Sequence, residues 1–143
     1  MTRYIDPDRA QFDAFKDLDR DSELNMLNLV RFNDLANYPG DHELARDGLT
    51  GAQAYGHYGQ ETGPILAKVG GSILWRASFE LTLIGPSDEA WDAMFIAQYP
   101  NAHAFLAMVS DPDYQRAVVH RQAAVKTSRL IRSQGADITG YFA

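Results

Sequence analysis

Cysteine is absent from the 143 residues. Neither a disulfide framework nor a thiolate metal site is possible, and the chain suits a reducing cytosol. Long apolar runs are missing too. The longest are a few residues, against the ~20 a membrane helix needs. The opening stretch MTRYIDPDRAQ lacks the apolar segment of a secretory signal. A cytoplasmic protein is therefore expected, with no membrane partner. Basic charge is in deficit: 13 Lys and Arg stand against 19 Asp and Glu, for a net charge of −6. Such a chain is a poor general binder of nucleic acid or anionic surfaces, so no nucleic-acid partner is expected. There is no zinc motif, P-loop, dinucleotide fingerprint or nucleophile elbow. Gly70-Gly71 precedes a strand rather than a helix and cannot cradle phosphate. The four histidines, at 42, 57, 103 and 120, are scattered along the chain. No metal and no cofactor are expected.

What is present is the composition of an ordinary globular protein, 45% hydrophobic and 22% charged. The length suits one domain spanning 1–143, with a leading helical region (1–22), a core (24–133) and a polar tail (134–143). Acidic residues are dense early (Asp6, Asp8, Asp13, Asp17, Asp19, Asp21, Glu23). Basic ones gather late (Arg116, Arg121, Lys126, Arg129, Arg132).

Hydrophobic periodicity predicts the elements. Phe12, Phe15 and Leu18 mark a helix from Asp8 to Leu18, with Asp6 as cap before Pro7. Leu24–Phe32 reads as a strand buried on both faces. Residues 33–48 are rich in turn formers and read as loop. Thr50 caps a helix reaching Val69, with a kink or break expected at Pro64 and termination at Gly70-Gly71. Ser72–Ile84 alternates strictly and reads as a long strand. It is joined by the turn Gly85-Pro86-Ser87-Asp88 to a strand at Trp91–Tyr99. Asn101 caps a helix over 102–108, Asp111 caps another from Pro112 to Ala124, and Thr127–Arg132 is a last strand. After the leading helix the order is strand, helix, strand, strand, helix, strand. That is an α+β, ferredoxin-like βαββαβ fold: a four-stranded antiparallel sheet with helices on one face. Strands apolar on both parities leave the second face needing a cover, and a second copy of the chain in a homodimer is the expected one.

GGSILWRAS (70–78), AQYPN (97–101), AFLAMVSDPDYQRA (104–117) and HRQAAVKTSRLI (120–131) follow one another at spacings that resemble the domain-of-unknown-function 1330 family, in the dimeric α+β barrel superfamily. The resemblance covers about residues 24–133. It implies the same fold, paired into a barrel-like dimer, and no established reaction. The Asp-rich leading helix and the longer first loop depart from its shorter members. So does Trp75-Arg76-Ala77-Ser78, where those members often have Arg followed by glycines.

Some residues stand out as candidates for chemistry. Arg76 lies mid-strand, opposite in parity to Trp75, and could pair with Glu80 or grip a ligand carboxylate or phosphate. Asn28 interrupts an apolar strand, where a buried amide needs partners. Arg31, on the other face, does the same. Tyr55, Tyr58 and His57 lie on the helix over the sheet. Tyr99 and Tyr114 could bracket a cleft mouth, and Arg121 shares a helix face with Tyr114 and Val118. Trp75 and Trp91 read as core. The expected function is a small-molecule-binding homodimer. Its pocket between sheet and helices is lined by Asn28, Tyr58, Arg76, Tyr99, Tyr114 and Arg121. The alternative is a cofactor-independent enzyme of isomerase or monooxygenase type acting on a small acidic or aromatic substrate. His57, Tyr55 and Arg76 would then be its acid–base and oxyanion candidates. A third reading is an interaction module in which the acidic leading helix docks a partner.

Overall fold

The computed structural model describes residues 2–143. Its elements are α1 (Arg9–Asp17), β1 (Leu24–Phe32), α2 (Gly51–Lys68), β2 (Ser72–Ala77), β3 (Ala93–Tyr99), α3 (Ala102–Ser110), α4 (Pro112–Ala124) and β4 (Val125–Ser133). The strands form one antiparallel sheet in the order β2-β3-β1-β4. That is the ferredoxin-like order, with the helices against one face.

Local chemistry places the helices. The Asp8 carboxylate accepts from the Gln11 amide and starts α1. The cap is thus Asp8 rather than Asp6, because Pro7 ends the extended arm before it. Thr50 and Gln53 exchange hydrogen bonds in a capping box at the head of α2. Gly51 is required there, since a Cβ would stand 2.1 Å from the Asn33 carbonyl oxygen. The expected break at Pro64 does not occur, and α2 runs on to Lys68. Gln60, four residues earlier, is exposed, so the carbonyl that loses its partner there can be solvated. Gly70, at φ 81°, supplies the left-handed turn into β2. Asn101 and Asp111 cap α3 and α4.

Pairing register decides the faces. Leu24, Met26 and Val30 of β1 point to the helices and are 1–4% exposed. Burying such side chains contributes about 1.5–3 kcal/mol each. They meet Ile65, Phe105, Met108 and Tyr114 at one end of the sheet, and Ala54, Ala123 and Val125 at the other. α1 lies outside this layer, with the Phe15 ring tilted against Phe105 at 5.1 Å.

Three expectations about β2 and β3 are corrected. β2 ends at Ala77 instead of continuing to Ile84, and β3 starts at Ala93 instead of Trp91. Ala77 opposes Met94, next to the first residue of β3, so residues 78–84 have no strand to pair with. Strict alternation fails as well. A bulge between Ile73 and Trp75 sets Ile73 opposite Ala97 but Trp75 opposite Ile96, so the two side chains lie on opposite faces. The tryptophans are not core. Trp75 is 45% exposed on the edge strand, and Trp91 is half-buried beneath the Arg129 guanidinium at 5.5 Å.

The side of the sheet away from the helices carries a row running across all four strands: Trp75, Ile96, Leu27 and Ile131. Trp75 and Ile131 are exposed, and Leu27 and Ile96 are half-buried. Beside the sheet, Leu81, Leu83 and Ile84 are also exposed. Among the described residues, no helix is long and apolar enough to cross a membrane.

A candidate cleft between sheet and helices

The helices do not close onto the sheet along its whole width. A cleft of about 1910 Å³ remains between the layers, bordered along one side by the N-terminal arm and α1. Its floor includes the row one residue along from the apolar one: Arg76 of β2, Phe95 of β3, Asn28 of β1 and Leu130 of β4. Four adjacent strands set these side chains at steps of about 4.8 Å, so Arg76 and Asn28 stand roughly 10 Å apart at the backbone. The roof is tyrosine-rich. Tyr55 and Tyr58 come from α2, and Tyr114, Val118 and Arg121 from α4. Their positions follow from helical spacing: residues three or four apart share a face.

The tyrosines form one connected group. The Tyr58 and Tyr114 hydroxyls are 3.1 Å apart, and the Tyr55 and Tyr58 rings are centred 5.4 Å apart. Tyr99 packs edge-on against Phe105 and donates to the Met108 sulfur at 3.9 Å. Burial pushes the Tyr55 hydroxyl up to about 12, partly offset by Arg121. Burial, with Tyr114 adding, lifts Tyr58 well above its ordinary value, and Tyr99 also rises. All three stay protonated at neutral pH. They can donate and accept hydrogen bonds but cannot serve as bases.

The two arginines differ. Arg121 is committed: it donates to the Ile5 carbonyl at 2.5 Å and to Ser128 Oγ at 3.2 Å, with Asp6 at 3.9 Å. It ties the N-terminal arm to β4. Arg76 is exposed, and among the described residues no carboxylate lies within ion-pair distance of it. The expected Arg76–Glu80 pair does not form, because Glu80 lies beyond the end of the strand. Asn28 donates from its amide nitrogen to the Met26 carbonyl at 3.0 Å. Among the described residues it makes no other side-chain hydrogen bond, so the rest of its capacity is open to the cleft.

Asn28, Tyr55, Tyr58, Arg76, Tyr99, Tyr114 and Arg121 therefore all border one space. His57 does not. Its ring faces away from the cleft and stacks at 5.3 Å on His120 of α4. The set His57, Tyr55 and Arg76 is not assembled, because Tyr55 and His57 are two residues apart on a helix and so point in different directions. Phe95, Leu130 and Phe32, which also line the cleft, were invisible to periodicity alone. Only the cross-strand register connects Phe95 and Leu130 to Asn28, whereas Phe32 lies four residues along the same strand. The histidines, distant along the chain, are brought together in part: His42, His57 and His120 touch. Among the described residues, no group of three acidic or histidine side chains is arranged to hold a metal ion.

The family model for a domain of unknown function, DUF1330, matches residues 44–134. The chain belongs to the DUF1330 family. A crystal structure of a protein of unknown function from Rhodopseudomonas palustris is 47% identical, at a TM-score of 0.88, over 96% of this chain and 100% of that one. Its methylated form matches at 0.89, with 47% identity, over 96% and 98% of the two chains. A putative antibiotic biosynthesis monooxygenase from Bacteriodes thetaiotaomicron reaches a TM-score of 0.50 at 11% identity, over 85% and 96% of the two chains. That likeness is one of fold alone. No curated protein matches. The DUF1330 match includes Arg76 and the α2 and α4 tyrosines but leaves out Asn28 and the arm that borders the cleft.

Proposed function

We propose that this DUF1330 protein binds a small aromatic acid in the cleft between sheet and helices, as a homodimer joined through the opposite sheet face. The observation that carries the ligand reading is the floor row. A guanidinium without a carboxylate partner stands about 10 Å from a half-used amide, with Phe95 between them and protonated tyrosines above. A guanidinium grips a carboxylate through two hydrogen bonds. Phe95 and the tyrosine roof offer ring faces to an aromatic body. Asn28 and the Tyr58–Tyr114 pair supply polar contacts at fixed places, as in most small-molecule sites. The dimer reading is supported by the uncovered apolar row Trp75–Ile96–Leu27–Ile131. A contiguous apolar face of that kind favours association.

The test uses benzoate, salicylate and 4-hydroxybenzoate, with benzamide as the uncharged control. Binding is followed by the melting temperature and by amide shifts in NMR spectra. The acids should raise the melting point and move the Phe95 and Asn28 amides, whereas benzamide should not. Arg76→Ala should weaken the acids at least tenfold, a loss of about 1.4 kcal/mol. Equal binding of acids and benzamide, or acids that bind Arg76→Ala as well as the parent, would sink the assignment of Arg76. Light scattering should give twice the mass of one chain.

A further inference from the structure

The outer side of the α2–α4 pair carries a second organised cluster, independent of the ligand reading. His120 of α4 is 7% exposed. Its Nδ1 lies 2.6 Å from the hydroxyl of Tyr38, which is itself 8% exposed. Its Nε2 lies 2.5 Å from the Glu61 carboxylate of α2. Two further imidazoles lean on the same ring. His57 of α2 is stacked at 5.3 Å, and His42 meets it edge-on at 5.7 Å. His42 is in turn stacked at 4.6 Å on Tyr38. Tyr38 and His42 belong to the loop between β1 and α2, residues 33–50. Three separate parts of the chain thus converge on one buried imidazole.

We propose that this cluster is a proton-operated clasp. It holds the loop segment 38–45 on the α2–α4 pair at neutral pH and releases it when the histidines become charged.

Hydrogen-bond roles give the mechanism. The Glu61 carboxylate only accepts, so neutral His120 carries its hydrogen on Nε2. Nδ1 then accepts from the Tyr38 hydroxyl. Both nitrogens are committed, in a single tautomer. Protonation places a second hydrogen on Nδ1, directed at the Tyr38 oxygen. The hydroxyl must turn round, and the new cation lies against the His57 and His42 rings, centred 5.3 and 5.7 Å away. The charged groups facing His120 are Glu61 and His57 from α2 and His42 and Glu43 from the loop. Glu61 can offset one positive charge, but its side chain is 49% exposed and its field is screened. A second charge, on His42 or His57, is repelled by the first.

The base of the loop is held by bonds that do not titrate. The Asn33 amide donates to the Ala124 carbonyl and the Asn37 amide to the Ala123 carbonyl, at 2.8 and 2.9 Å. The Asn33 side chain donates to the Ala123 and Val125 carbonyls. Release is therefore local to the segment past Asn37. Burial also holds the His120 imidazole below its ordinary 6.5, with His57 and His42 adding to the depression and Glu61 and Glu43 opposing it. The unfolded or opened chain then takes up the proton first as the pH falls. Closure is lost on acidification, from about pH 6.5 down through the lower folded value.

The test is hydrogen exchange of the whole chain at pH 7.5 and 5.5, corrected for intrinsic rates. Protection of residues 38–45 should fall at least about tenfold at pH 5.5, while Val30 in the sheet keeps its own. The double variant His42→Gln/His57→Gln keeps the Tyr38–His120–Glu61 chain and should open less at pH 5.5. Tyr38→Phe should lower protection of the segment already at pH 7.5. The clasp is refuted by any of three results: equal protection of 38–45 at both pH values, equal loss in loop and sheet, or a double variant that opens as the parent does.

Discussion

Two neighbouring rows cross the same four strands and face opposite ways. The inner row, under the helices, is Arg76, Phe95, Asn28 and Leu130. The outer row, on the face away from the helices, is Trp75, Ile96, Leu27 and Ile131. A monomer that buried its apolar residues to best advantage would have them the other way round. The inner row keeps two polar side chains in mid-sheet, and the outer row is wholly apolar. A half-used amide in the inner row, with apolar side chains left in the open on the outer one, suits places where something else is to sit. On the proposed reading the inner row takes a small ligand and the outer row a second copy of the chain.

The comparison can be broken most forcefully away from both rows. Leu24 is on the inner side but beyond the cleft's polar stretch, 1% exposed and paired with Tyr99. Leu24→Ala removes buried methyl groups from a packed site, and the expected loss is about 2–5 kcal/mol in urea unfolding. A loss below about 1 kcal/mol would mean that the inner face is loosely packed even at its closed end. The contrast between core and cleft would then disappear.

A smaller effect of opposite sign is expected at Asn28. The amide makes one hydrogen bond, to the Met26 carbonyl of its own strand, and sits between Phe95 and Leu130. Asn28→Leu replaces a partly satisfied polar group by a side chain that suits its neighbours. A gain of up to about 1 kcal/mol in stability is expected, with weaker binding of the aromatic acids. If the variant instead loses more than about 1 kcal/mol, Asn28 is a structural amide and the inner row is not kept polar for a ligand.

Much of this frame was legible before the coordinates, and the reasons differ by element. β1 was readable because Leu24–Phe32 is bounded by turn residues and is too short for a helix. α2 was readable from Thr50 and Gly70. The segment after Ala77 was not. Period-two alternation shows that a side-chain pattern suits a strand, but a strand also needs a neighbour, and β3 starts too late to supply one to Leu81 and Leu83. The bulge at Leu74 carries no glycine or proline to announce it. Asn28 and Arg76 could be singled out as polar residues in apolar strands. Their standing in one row with Phe95 depends on register, which is set between residues 67 positions apart. The Tyr38–His120–Glu61 chain left no sequence signal, because its members come from a loop and two helices and share no motif.

The smallest effect on the protomer, and the sharpest on the comparison, is expected at Trp75. The side chain is 45% exposed on the edge strand opposite Ile96, so the folded chain gains little from it. In dilute solution, where chains are separate, Trp75→Ser should change unfolding stability by no more than about 0.5 kcal/mol. In the homodimer the same indole would be buried by the partner, and large aromatics dominate the energetics of such contacts. Trp75→Ser should then shift the light-scattering mass from two chains to one at micromolar concentration, with binding of the aromatic acids to each protomer retained. A variant that stays dimeric would move the association surface off the outer row. A variant that dissociates and also stops binding acids would show that the two rows are not separate sites, because the cleft would then need the second copy to hold its shape.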